Sequence, residues 1–136
     1  MRVTLFVAAL VLAAPAAQAR AQATPLEVAE RQIATFNARD LDGFMALYAE
    51  DAVLSEFPSG RVLANGKAAI RARFAQVIEG LPANFPPVRV EPRVIDGAFV
   101  VDHERWDAPA GERNSAVWMY EIRDGLIRKS WQVIVR

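Results

Sequence analysis

The sequence contains no cysteine and one histidine among its 136 residues. Without thiols there are no disulfide bonds and no cysteine for lipid attachment, so the hydrophobic core must hold the fold. The lone histidine argues against a metal site, because most such sites draw on several His or Cys ligands. We therefore expect neither a metal ion nor another cofactor.

The chain also lacks an excess of charge, with 16 Lys and Arg residues against 16 Asp and Glu residues. Such a balance provides no extended positive surface for nucleic acid or for an anionic membrane. The length suits one domain that can bury a core of its own. These properties favour a small-molecule ligand over a nucleic-acid partner.

Residues 1–23 have the pattern of a secretory signal peptide. Arg2 precedes an uncharged apolar run, and two small-residue cleavage sites end at Ala19 and Ala23. The run is shorter than the ~18 apolar residues of a membrane-spanning helix. We expect cleavage after Ala23, or alternatively after Ala19. Residues 24–136 would then form a soluble domain in the periplasm or outside the cell, with no stable membrane association.

The remaining sequence changes from a helical period to an alternating one. Thr24 and Glu27 form the pattern of a helix capping box, and Asp40 is placed to cap a second helix. The predicted apolar faces are Leu26, Ala29, Ile33 and Phe36, and then Leu41, Phe44, Met45 and Tyr48. A strand is predicted over 52–57, a third helix after Gly66, and strands over 88–95, 98–106, 115–123 and 126–135. Helices first and antiparallel strands last indicate an α+β fold.

The sequence includes the stretches FNARDLDGF and LYAEDAV (36–44, 47–53), GKAAIR (66–71) and YEIRDGLI (120–127). These stretches resemble the SnoaL-like family of the nuclear transport factor 2-like superfamily. The resemblance implies a cone-shaped α+β fold, with three N-terminal helices packed on a strongly curved, mostly antiparallel sheet that encloses a pocket. Its members include isomerases, cyclases, dehydratases, epoxide hydrolases and proteins without known chemistry, so the family does not determine the activity.

Glu56 is the first candidate catalytic residue. The steroid isomerases of this superfamily place a carboxylate base after the first strand, where Glu56 falls beside Phe57. Their oxyanion hole uses a Tyr and a protonated Asp, whose equivalents here are Gln32 and Trp118. A base without those donors loses most of the electrostatic stabilisation of an enolate. The alternative is a solvated carboxylate before a turn.

The run Glu104-Arg105-Trp106-Asp107 resembles a motif of limonene-epoxide-hydrolase-like members. The resemblance assigns a carboxylic acid to Asp107 and its arginine partner to Arg105. Gln132 stands where those enzymes have a water-activating Asp, and it cannot accept a proton. A salt bridge at the pocket rim, of little energetic worth, is the alternative.

Strand alternation extends this assignment to a pocket lining. If Arg105 faces inward, Phe99, Val101 and His103 face inward with it. His103 is a candidate proton carrier, or alternatively a structural histidine bonded to the backbone. The predicted pocket-lining residues are Tyr48, Phe57, Phe99, Val101, Trp118, Tyr120 and Gln132, and the candidate catalytic residues are Glu56, His103, Arg105 and Asp107. If the register of a strand is wrong by one residue, the residues assigned to its inward and outward faces are exchanged.

Three functions remain open. The first is a pocket protein that binds, and weakly transforms, a small and largely apolar molecule. The second is an isomerase or hydratase with Glu56 as general base. The third is a non-catalytic interaction module, because the same register places Trp106, Trp131 and Val133 on the outer sheet face, which favours a homodimer.

Overall fold

The computed structural model describes residues 22–134. Its elements are α1 (Pro25–Asn37), α2 (Leu41–Met45), β1 (Tyr48–Phe57), β2 (Val62–Asn65), α3 (Lys67–Gly80), β3 (Arg89–Asp96), β4 (Phe99–Arg105), β5 (Ser115–Arg123) and β6 (Leu126–Val133). The α+β prediction is confirmed. The predicted signal peptide lies outside the described residues except for its last two positions. Within residues 22–134, none of the helices is long and apolar enough to span a membrane.

The strands form one six-stranded mixed sheet in the order β2-β1-β6-β5-β4-β3. β1 and β6 run parallel, and all other neighbours are antiparallel. Two hairpin turns of the sheet lie at Asp-Gly pairs, Asp96-Gly97 between β3 and β4 and Asp124-Gly125 between β5 and β6. In the second of them, Asp124 and Gly125 both have positive φ, at 54° and 71°, which is the backbone that a tight turn between twisted strands requires.

Helix α1 begins with the predicted capping box. The Thr24 side chain accepts a hydrogen bond from the backbone N–H of Glu27, and the Glu27 carboxylate accepts one from the backbone N–H of Thr24. The predicted apolar face was partly wrong, since Leu26 is 42 % exposed and the buried residues are Val28, Ala29 and Gln32. A polar side chain therefore occupies a core-facing position of this helix.

The core lies between the helices and one face of the sheet. Phe44 and Phe74 have ring centroids 4.6 Å apart, and Tyr48 lies 5.5 Å from Phe44. Tyr48 was predicted on the second helix, but α2 ends at Met45 and Tyr48 begins β1. The ring still reaches the predicted apolar cluster, because β1 starts three residues after α2 ends and Tyr48 contacts Phe44.

Strand β4 presents the opposite face from the one predicted. Val100, Asp102 and Glu104 are the buried residues of this strand, whereas Phe99 is 47 % exposed. The prediction was wrong because it took Arg105 as an inward residue and assigned the rest by alternation. The buried charge of Asp102 is compensated from β3, where Arg93 donates two hydrogen bonds to it. Glu104 therefore enters the interior.

Candidate functional site

A cavity of about 300 Å³ lies between α1, α3 and the inner face of the sheet. Five aromatic side chains form much of its wall, namely Phe36, Phe74, Phe85, Trp106 and Trp118. Two aromatic contacts build the wall, since Trp118 lies 6.1 Å from Phe74 and Trp106 lies 5.9 Å from Phe85 between ring centroids. A volume and lining of this kind match a small-molecule site.

Glu104 is the one carboxylate among the described residues that line this cavity. It is 8 % exposed, and no group within residues 22–134 forms a hydrogen bond with it. Burial raises the pKa of Glu104 to about 8, and the negative charge of Asp102 adds to the shift, while Arg93 opposes it. At neutral pH the side chain is therefore a carboxylic acid with a free donor and a free acceptor facing the cavity.

Three buried hydroxyl groups lie on the inner side of the sheet near Glu104. They belong to Tyr48, Tyr120 and Ser130, and none has a hydrogen-bond partner among the described residues. Burial raises the pKa of both tyrosines, and the charge of Glu104 contributes in each case. Ser130 lies near enough to oppose part of the shift at Tyr48, although the two hydroxyls do not meet hydrogen-bond geometry. All three groups stay protonated and available as donors.

Two amides complete the polar lining of the cavity. Gln32 is 4 % exposed, and its side-chain oxygen has no hydrogen-bond partner within the described chain. Gln132 lies on β6 opposite Trp118 of β5. Both amides can donate and accept hydrogen bonds, but neither can take a proton at ordinary pH. No group of three or more metal-ligating side chains occurs within residues 22–134.

The family model of the SnoaL-like domain matches residues 29–130. The chain belongs to this family. Its fold also matches those of solved proteins of the nuclear transport factor 2-like superfamily. No curated protein matches the chain.

Three solved structures illustrate the similarity. A candidate ketosteroid isomerase from Kribbella flavida has 21% identity, a TM-score of 0.63, and coverage of 80% of this chain and 76% of its own. An uncharacterised cystatin-fold protein from Novosphingobium aromaticivorans has 21% identity, a TM-score of 0.66, and coverage of 84% and 99%. A candidate polyketide cyclase from Sinorhizobium meliloti has 17% identity, a TM-score of 0.61, and coverage of 77% and 92%. At these identities the likeness shows the fold alone.

Glu56 lies on the inner face of β1, but it does not line the aromatic cavity. It borders a separate cleft with Pro58, Ser59 and Ile134. Its carboxylate accepts a hydrogen bond from the Ser59 hydroxyl at 3.0 Å and forms an ion pair with Arg61. A carboxylate held in this way by a cation and a hydroxyl is poorly suited to act as a general base.

The predicted pairing of Arg105 with Asp107 is wrong. Asp107 is exposed and forms its ion pair with Arg89 of β3, at 2.9 Å. The hydrogen bond from Arg89 lowers the pKa of Asp107, so this carboxylate stays ionised. Arg105 and His103 lie on the face of β4 that points away from the helices. The motif that resembled the epoxide hydrolases contributes Glu104 and Trp106 to the cavity instead.

The predicted pocket lining divides into three groups. Trp118 and Gln132 line the cavity. Tyr48 and Tyr120 face inward but are fully buried in the core beneath it. The remaining predicted residues lie on the outer sheet face, where Phe57, Phe99 and Val101 form an apolar hollow with Met119 and Trp131.

Glu104 and Trp106 were not predicted to line the cavity, and Gln32 was identified only as the equivalent of an oxyanion-hole tyrosine. A polar residue at a core-facing position of an amphipathic helix was a usable signal for Gln32. The sequence contains no such signal for Glu104. Its inward position follows from the buried pairing of Asp102 with Arg93, which strand alternation does not show. Trp106 was predicted on the outer face, but it lies one residue beyond the end of β4 and packs on Phe85.

Proposed function

We propose that this protein is an exported binding protein for a small, largely apolar molecule that carries an oxygen-containing polar group. The observation behind the proposal is Glu104, a buried carboxylic acid without a hydrogen-bond partner on the wall of an aromatic cavity. A neutral acid in an apolar site can donate a hydrogen bond to a ligand oxygen. The same ligand could bond to the unpaired side-chain oxygen of Gln32.

The energetic argument has two parts. Transfer of an apolar ligand onto the aromatic wall contributes roughly 25 cal/mol per Å² of apolar surface removed from water. Buried polar groups need hydrogen-bond partners, and a ligand with a matching polar group supplies them to Glu104 and Gln32, which a hydrocarbon does not. A ligand of this class therefore binds better than a hydrocarbon of equal size.

Binding is favoured over catalysis by the cavity's own residues. General acid–base chemistry usually needs one group that gives a proton and another that takes one. Among the described residues on the cavity wall, Glu104 is the one group that can exchange a proton near neutrality, since Gln32 and Gln132 cannot. Glu56, the alternative base, borders a different cleft and is held by Arg61.

A proton-transfer enzyme is the second candidate function. The pKa of about 8 keeps a proton on Glu104 while leaving it able to release that proton. In such an enzyme Glu104 would act alone, as both acid and base. The structural relatives include a candidate ketosteroid isomerase and a candidate polyketide cyclase.

The test uses naphthalene and 2-naphthalenemethanol as probes of equal ring size, with binding measured by calorimetric titration. Glu104→Leu should weaken the alcohol by about tenfold and leave naphthalene unchanged, because it removes one hydrogen bond. Glu104→Gln keeps a donor and should lose little. Glu79→Gln, an exposed substitution on α3, is the control. If neither probe binds, the proposal is refuted.

Turnover separates the two candidates. Ligand that copurifies with the protein from its native source would be incubated with fresh protein and followed by mass spectrometry. A binding protein returns the ligand unchanged. If product forms, and Glu104→Gln slows its formation at least ~100-fold, the second candidate replaces the first.

Export is part of the proposal and has its own test. Intact-mass spectrometry of protein from the extracytoplasmic fraction should give a chain that begins at Thr24. A chain that begins at Arg20 would move the cleavage site to Ala19. A chain that retains residues 1–19 would refute export with cleavage.

A further inference from the structure

The polar residues that line the cavity differ in their exposure to solvent. Gln32 and Glu104 are almost fully buried, so we assign them to the inner end of the cavity. Arg73 of α3 and Arg113, in the segment between β4 and β5, also line the cavity, but both are exposed. They therefore mark the mouth, where two guanidinium groups border an aromatic wall.

Neither guanidinium is neutralised by an acidic partner. Within residues 22–134, no carboxylate lies within ion-pair distance of Arg73 or Arg113. Arg113 donates one hydrogen bond, from Nε to the backbone oxygen of Ser115 at 2.9 Å. Arg71, which lies on the same helix as Arg73, is by contrast paired with Asp42.

The buried end of the cavity carries no negative charge that would offset the two arginines. Glu104 is the sole carboxylate on the described cavity wall, and it is protonated at neutral pH. The lining of the cavity therefore carries two positive charges and no negative one. Guanidinium groups match carboxylates in shape and can donate two hydrogen bonds to them.

We propose that the ligand is an amphipathic organic acid whose apolar body fills the cavity and whose carboxylate lies at the mouth between Arg73 and Arg113. This inference rests on the proposed binding function and specifies its ligand class. It also gives the ligand a direction, with the neutral polar atom toward Glu104 and the anionic group toward solvent. The exposed arginines attract the anion at long range, and salt should weaken that attraction.

The test compares three probes that share one ring system, namely 6-hydroxy-2-naphthoate, 6-hydroxymethyl-2-naphthol and 6-aminomethyl-2-naphthol, which are anionic, neutral and cationic. Each carries the ring hydroxyl that would bond to Glu104, so the probes differ in the charge of the group at the mouth. Calorimetric titration at about pH 6.5 and low salt should give at least about tenfold tighter binding of the acid than of the alcohol. The amine should bind most weakly. Added salt should reduce the difference between acid and alcohol.

Matched variants locate the preference. Arg73→Gln combined with Arg113→Gln should reduce the affinity for 6-hydroxy-2-naphthoate to that of the alcohol. Affinity for the alcohol should stay within about twofold, which also shows that the variant is folded. Arg105→Gln is the control, because Arg105 is exposed and has no acidic partner within residues 22–134, but lies on the other face of the sheet.

The outcomes distinguish this inference from the proposed function. If alcohol and acid bind equally, or the alcohol binds better, the organic-acid inference is wrong and the binding function stands. If the preference for the acid survives in the double variant, or falls equally in Arg105→Gln, it does not come from the two mouth arginines and the inference is wrong. If no probe binds, the proposed function fails and the inference fails with it.

Discussion

Arg93 holds Asp102 by two hydrogen bonds inside the fold, from Nε at 2.7 Å and from Nη2 at 2.8 Å. The Asp102 side chain is fully buried and that of Arg93 is 16% exposed. Asp102 shares the inner face of β4 with Glu104, and its charge helps to keep the proton on Glu104. Burial is the main cause of the raised pKa of Glu104, and the ion pair adjusts it, because Asp102 raises this pKa and Arg93 lowers it.

Asp102→Asn should lower the pKa of Glu104. The substitution removes a repelling negative charge but leaves the attracting charge of Arg93 in place. It should also cost roughly 3 kcal/mol of unfolding free energy, because Arg93 loses its ionic partner in a buried setting. Carbon-13 NMR titration of the glutamate carboxyls and urea denaturation measure the two effects.

Asp107→Asn is the matched control for that experiment. It makes the same chemical change in the exposed pair with Arg89. Neither the stability nor the titration of Glu104 should change measurably, since solvent screens exposed pairs. A pKa of Glu104 that is unchanged or higher in Asp102→Asn would contradict the assigned role of the ion pair.

Glu104→Gln should stabilise the protein increasingly as pH rises. The folded state keeps the Glu104 proton up to about pH 8, whereas an unfolded glutamate releases it near 4.5. Between these values the folded state binds more protons, so the contribution of Glu104 to stability falls as pH rises and levels off above the folded pKa. The groups that face Glu104 are Asp102, Arg93, Tyr48 and Tyr120.

Paired urea titrations of wild type and variant from about pH 5 to about pH 9 test this. The stability difference should grow through this range by roughly 4 kcal/mol in favour of Gln. The other carboxylates contribute equally to the pH dependence of both proteins, so their contributions cancel in the difference. Asp107 is one of them, and its lowered pKa makes the protein more stable as pH rises. A difference that does not depend on pH would show that Glu104 is ionised or hydrated in the folded state.

The sequence was sufficient for the three helices and for five of the six strands, but it missed β2 and the inward face of β4. Caps and Asp-Gly turns are local, so the residues that form them lie within a few positions of one another. β4 is ambiguous because each face carries apolar residues and then charged ones. Phe99 and Val101 precede Arg105 on one face, and Val100 precedes Glu104 on the other. The choice depends on a partner from β3, which alternation does not encode.

Glu56→Gln should destabilise the protein modestly. If Glu56 were a desolvated general base, this substitution would increase the stability of the protein. In the structure, however, Glu56 is paired with Arg61 and Ser59. The loss should be about 1 kcal/mol, because the Arg61 side chain is 66% exposed and solvent weakens the pair. Thermal melts at about pH 7 measure it, with Glu50→Gln as a control in an exposed pair. Equal or greater stability of the Gln variant would contradict a structural role for Glu56.

The last prediction concerns assembly through the outer face of the sheet. Phe57 and Phe99 are 46% and 47% exposed, and they border an apolar hollow with Val101, Met119 and Trp131. Val133 continues the face of Trp131 on β6, whereas Trp106 belongs to the cavity. We propose that a second copy of the chain covers this face. A two-fold axis would bury each hollow against its own copy, and a chain with balanced charge does not repel itself.

Sedimentation equilibrium at micromolar concentration should give the mass of two chains, from an interface of about 1,600 Å² in total. Trp131→Arg should shift the mass to one chain, because it places a charge at the centre of the apolar face. Val62→Arg is the matched control, since Val62 is 56% exposed on β2 and lies outside the hollow. It should leave the dimer intact. A wild-type mass of one chain, or unchanged assembly of Trp131→Arg, would show that this face is not the interface.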